Sequence, residues 1–113
     1  MIRARFFHAG GRLCGFAVSG HAGYAAAGRD IVCAGVSSAV QMAANTVTEV
    51  LHADARVHTQ GDTVELVLAP PGAAEQEKAV QAVLEGLRLQ LETLSRGHRG
   101  TIQVETRLRA GKS

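Results

Sequence analysis

Two side chains in this sequence stand where their chemistry can be joined, His21 and Cys33. His21 follows Gly20 at the end of an apolar run. A stretch of small residues comes next, with Gly23 and Gly28 in it, and then Asp30 ahead of an apolar-periodic segment that carries Cys33. The spacing predicts Asp30 as the N-cap of a helix, with Cys33 third in that helix and inside its first turn. First-turn backbone N–H groups have no intrahelical partner, and the helix dipole is positive there. Both favour thiolate over thiol. A histidine within reach would take the proton and hold it as imidazolium, giving a Cys/His nucleophile pair. The nine residues 21–29 span at most ~30 Å when extended, so nothing in the chain length prevents His21 from folding back onto Cys33.

Each of these residues also has a plainer use. A cysteine in a helix often serves as a small core hydrophobe. Asp30 can be a cap alone, or it can orient His21 as the third member of a triad. Its charge near Cys33 would oppose the thiolate. Ser37 lies four residues after Cys33 and stacks on the same face. There it is either a solvated polar residue or a donor to the thiolate or to a substrate carbonyl. Cys14 alternates with Phe16 and Val18, which places it in the core by the period of two. Structural zinc needs four ligands at close-paired spacings. The sequence has no CxxC or HxxxH, and His8, His52, His58 and His98 are scattered. Gly23, Gly28 and Gly35 fit neither a P-loop nor GxGxxG. No metal or cofactor is expected.

The 113 residues fit one domain, 1–113. A hydrophobic content of 46% with 19% charged residues describes a chain that buries a core. Aromatic residues make up only 4%, so Ala, Val and Leu must fill that core. The net charge of +2 comes without a clustered basic face, so direct nucleic-acid binding is not expected. Two cysteines make no disulfide framework. Arg3 and Arg5 interrupt the first apolar residues and no apolar signal region follows. No stretch approaches the ~18 apolar residues that cross a bilayer. A reducing cytoplasm and free thiols are the expectation.

The elements that must position the pair follow from periodicity. Residues 2–8 alternate Ile2, Ala4 and Phe6 with Arg3 and Arg5, a half-buried strand. Gly10-Gly11 supplies a hairpin turn, and residues 13–20 return. A helix is expected from Ile31 to about Leu51, with Val36, Val40, Ala43, Val47, Val50 and Leu51 as its apolar stripe. Strands over 55–60 and 63–69 flank a turn at Gln60-Gly61-Asp62, and Pro70-Pro71 stops the second. A second helix over 74–96 carries Ala79, Val80, Val83, Leu84, Leu87, Leu91 and Leu94, with Gly97 as its left-handed C′ residue. A last strand covers 101–108. The order ββαββαβ gives an α/β (α+β) fold, a mixed sheet of about five strands with both helices on one face. The exposed polar sheet face, or an edge strand, is then available for dimerisation.

Gly20-His21-Ala22, the loop, Gly28-Arg29-Asp30-Ile31-Val32-Cys33-Ala34, then Val36-Ser37-Ser38 and Gln41 resemble the ribosomal-processing cysteine protease family, Prp. The ββαββαβ order is similar to that family's fold. The resemblance implies a small homodimeric bacterial cysteine endopeptidase. Its substrate would be the precursor of large-subunit ribosomal protein number twenty-seven, from which it removes a short N-terminal extension. By the match Cys33 is the nucleophile and His21 the general base, and Asp30 and Ser37 fall on further active-site positions. The segment with Gly20, Ala22, Gly23, Tyr24 and Gly28 corresponds to a mobile loop that orders over the substrate peptide. The substrate's basic terminal segment would favour an acidic groove, with Glu49, Asp54, Asp62 and Glu65 as candidates. The second reading is a non-catalytic ribosome-associated binding module that uses the same loop. The endopeptidase needs a reactive Cys33 and the module does not.

Overall fold

A computed structural model describes residues 1–20 and 27–109, with backbone alone for residues 27–30. Five strands and two helices follow in the order β1 (Ile2–Ala9), β2 (Arg12–Ser19), α1 (Ala27–Asn45), β3 (Ala55–Gln60), β4 (Thr63–Leu68), α2 (Ala74–Gly97) and β5 (Ile102–Leu108). A π-helical turn, Thr46–Val50, continues α1. The strands form one mixed sheet in the order β3-β4-β2-β1-β5. All neighbours run antiparallel except β1 and β5, which are parallel because α2 carries the chain across the sheet. This is the expected α+β fold with the expected element order.

The core lies between the sheet and the helix layer. Phe6 and Phe16 face each other across β1 and β2, fully buried, with ring centroids 5.9 Å apart and planes tilted by 46°. Around them pack Ile2, Ala4, Val18, Leu66 and Ile102 from the sheet, Val32, Val36, Val40, Ala43 and Val47 from α1 and its continuation, and Val80, Leu84, Leu87 and Leu91 from α2. The opposite sheet face carries Arg3, Arg5, Phe7, Glu65, Glu105 and Arg107, so the alternation in β1 sorts its residues as the sequence suggests.

Four expectations need correction. Cys14 is half-buried and takes no part in the core cluster. A β-bulge opposite Phe7 and His8 adds Cys14 to β2 and reverses the alternation, so Leu13 takes the core position. Val50 is exposed because the wider π turn, closed by Leu51 N–H donating to Thr46 O at 2.9 Å, rotates it off the stripe. Gly97 is still helical; the left-handed turn comes at Gly100, with φ 80°. The segment Ile31–Val50 is long and apolar enough to cross a membrane by length and composition, contrary to the sequence expectation. It is amphipathic, however. Its valine stripe lies in the core while Ser37, Ser38, Gln41, Asn45 and Glu49 face outward.

One polar cluster fastens the first hairpin to α2. Arg12 donates twice to Glu77, at 2.6 and 2.9 Å. Gln81 accepts from Leu13 N–H at 2.8 Å and donates to Leu13 O at 2.7 Å, repairing backbone groups left open beside the bulge. The Arg12 hydrogen bonds hold the Glu77 carboxyl below its ordinary range. A depressed carboxyl stabilises the fold above its unfolded pKa, and that stabilisation disappears as pH falls through the folded value. Glu77→Gln is therefore expected to lower stability by about 1 kcal/mol at neutral pH. The difference from the unsubstituted chain should shrink toward zero near about pH 3. Urea titrations at the two pH values check both parts.

Candidate active site

The site is assembled where β2 ends and α1 begins. Gly20 terminates β2 with φ 88°. A Cβ there would lie 2.6 Å from Met1 O, so only glycine fits. Its N–H donates to Asp62 Oδ2 at 3.1 Å, tying it to the β3–β4 turn. The point from which the His21 segment departs is thus fixed by a close backbone approach and by one carboxylate. Asp62 was expected to help form an acidic groove, and its anchoring role was not foreseen. The turn signal Gln60-Gly61-Asp62 located the residue but not its partner, which is 42 positions away.

His21, Ala22, Gly23 and Tyr24 lie outside the described residues, as do the side chain of Asp30 and the surroundings of Gly28. The backbone beyond them is described, and it changes the reading of the helix start. α1 begins at Ala27. Asp30 is therefore its fourth residue and not its cap, and Cys33 is its seventh, in the second turn. The free N–H groups belong to residues 27–30. The N–H of Cys33 lies in the i→i−4 ladder, so it is not an oxyanion donor, and the dipole effect has faded one turn in. Early entry into the helix agrees with propensity, because Ala27 is the best helix former.

Cys33 is half-buried and packs against the core between Val32 and Val36, which are buried almost completely. Its backbone is consequently held by two anchors on adjacent positions of the stripe. Ser37 follows one turn later on the outer side of α1. The structure so brings Cys33 and Ser37 together on one helix flank, with Asp30 three positions earlier on the same helix. From Ala27 to Cys33 the helix rises about 9 Å. The six residues joining Gly20 to Ala27 span more than twice that when extended, so the earlier helix start does not keep His21 from Cys33.

The four carboxylates do not form one acidic groove. Glu49 lies on the π turn and Asp62 binds Gly20, while Asp54 and Glu65 line a concavity beside Arg56 and His58. Among the described residues no three His, Cys, Asp or Glu side chains converge as metal ligands would.

An α+β domain of this topology with a thiol held on its first helix defines a class that comparison with known proteins makes specific. The profile of the family "Cysteine protease Prp" matches residues 1–103. The ribosomal processing cysteine protease Prp of Bacillus subtilis is 30% identical over 95 residues, which cover 82% of this chain and 85% of that protein. The Prp protease of S. aureus, solved with a substrate peptide, superposes with a TM-score of 0.80 over 94% of this chain and 99% of its own, at 18% identity. The same protease with a covalently linked product peptide gives 0.78 over the same shares, at 20% identity. The chain belongs to the cysteine protease Prp family.

With the helix terminus a turn away from Cys33, a side-chain base is left as the source of any thiol activation. In a Cys14→Ser background, which leaves Cys33 as the only thiol, His21→Ala is expected to slow alkylation of Cys33 by iodoacetamide about tenfold near neutral pH. Equal rates would show that His21 has no hold on the thiol.

Proposed function

We propose that this protein is the endopeptidase that trims the N-terminal extension from large-subunit ribosomal protein number twenty-seven, by Cys/His acyl transfer. The observation that carries this reading is the family match over residues 1–103, which spans the Gly20-His21 pair and the helix bearing Cys33. The B. subtilis relative is a ribosomal processing protease, and the S. aureus relative holds peptides as substrate and as covalently linked product.

Cys33 thiolate attacks the scissile carbonyl, and the tetrahedral adduct collapses to a thioester. His21, carrying the thiol proton as imidazolium, gives it to the leaving amine. Water then adds to the thioester with His21 as base, and Cys33 departs as thiolate and recovers the proton. Asp30 orients His21, and Ser37 hydrogen-bonds the substrate or the thiolate. Oxyanion donors come from outside the Cys33 backbone, with the free N–H groups at residues 27–30 the nearest on α1. Gly20, Ala22, Gly23, Tyr24 and Gly28 belong to the loop that covers the peptide. The working unit is a homodimer in the bacterial cytoplasm, for which the polar sheet face opposite the helices is one available surface.

Mass spectrometry of the source organism's precursor protein, incubated with the purified chain, tests the reading. A single N-terminal truncation is expected. Cys33→Ala should abolish it, and His21→Ala should slow it by about 10²–10⁴-fold. An intact precursor together with an unreactive Cys33 would leave the non-catalytic binding module as the reading.

A further inference from the structure

A cavity of about 240 Å³ opens between α1 and the β3–β4 hairpin, lined by Ser37, Val40, Gln41, Ala44, Val57, Thr59 and Val64. We propose that it is the specificity subsite of the protease, receiving one large apolar side chain of the extended substrate segment. The inference rests on the protease reading and adds to it which property of the substrate is selected, and where.

Position comes first. Ser37 belongs both to the helix flank that carries Cys33 and to the cavity wall. Four helical residues separate it from Cys33, a rise of about 6 Å. Extended peptide advances about 3.3–3.6 Å per residue. A side chain seated here therefore belongs to a residue within about two positions of the bond at Cys33.

Chemistry selects the guest. Val40, Ala44, Val57 and Val64 supply apolar walls, and Ser37, Gln41 and Thr59 are neutral. No charged side chain lines the cavity. A charged guest would lose its hydration there without gaining a partner, whereas an apolar guest gains roughly 25 cal/mol for each Å² it buries. The volume falls below the ~300–1,000 Å³ of pockets that take whole small molecules, so one side chain is the fitting occupant.

The mouth of the cavity suits a peptide. β3 is an edge strand, so one row of its backbone groups has no partner in the sheet. Val57 and Thr59 pair with Leu66 and Val64, which face the helix layer, so they point to the same side. Val57 is 45% exposed at that edge. A peptide laid along an edge strand presents every second side chain to one face, here the face on which the cavity opens. An exposed apolar edge is otherwise a liability that proteins blunt with charge or cover.

The test is an alanine scan of the apolar residues in the precursor's N-terminal peptide, read as kcat/KM with the unsubstituted chain, Val57→Trp and Val57→Ala. Position 57 is exposed, so neither variant disturbs the core, and thermal unfolding confirms that each folds. With the unsubstituted chain, one position close to the cleaved bond should lose about 10–100-fold on replacement by alanine. Val57→Trp fills the cavity and should bring that ratio close to one, through loss on the large residue. Cleavage with no alanine-sensitive position near the bond would overturn the subsite and leave the protease standing. So would a ratio that Val57→Trp leaves unchanged. No cleavage of any peptide by the unsubstituted chain would remove both readings together.

Discussion

The Phe6–Phe16 contact is the interaction on which the rest of this structure depends. The two rings sit on neighbouring strands at the middle of the sheet, directly opposite in register and fully buried. In a chain with so few aromatic residues, they provide the only large flat surface against which two helices built from valine and leucine can close. Every Cβ on α1 and α2 is referenced to that surface. The reactive segment inherits its position from it, because Val32 and Val36 are stripe residues and Cys33 lies between them.

Two ties then convert a packed layer into a defined site. On one side the Arg12–Glu77 pair and Gln81 hold the first hairpin to α2, at the bulge where the ladder would otherwise leave backbone groups open. On the other side Asp62 and Met1 hold Gly20, so the exit of β2 is fixed relative to the β3–β4 hairpin. The second tie has a functional side to it. The same hairpin forms one wall of the cavity beside Ser37, so the anchor of the His21 segment and the wall of that cavity are parts of one rigid unit.

Much of this was legible in the sequence, and the residues that misled did so for physical reasons. Ile2, Ala4 and Phe6 alternate in the structure as they do in the chain, and Val80, Leu84, Leu87 and Leu91 keep helical spacing and are buried. Cys14 broke its pattern because a bulge is a property of two paired strands, and neither strand alone announces it. Asp30 is a good cap by residue type, but alanines ahead of it extend the helix at little cost, and capping preference yields to propensity. Val50 left the stripe because a π turn changes the period within a helix. The cavity beside Ser37 was invisible for a different reason. Its lining comes from three elements, and only the register of β3 on β4 brings Val57 and Thr59 to α1.

The earlier start of α1 redistributes the work at the site. A cysteine in the first turn would draw its reactivity from the helix itself, and the histidine would be an accessory. In the second turn the helix contributes rigidity in place of charge. Cys33 is then a well-positioned thiol on a core-anchored scaffold, and its ionisation falls to whatever the segment between Gly20 and Ala27 brings to it. That division places geometry in the packed half of the molecule and proton chemistry in a short connection of small residues. Thiol and base are then brought into register when the connection closes over a peptide, as in enzymes whose lids complete the catalytic set. The same arrangement keeps the thiol less reactive toward other electrophiles while no substrate is bound, because its base need not be in place until then.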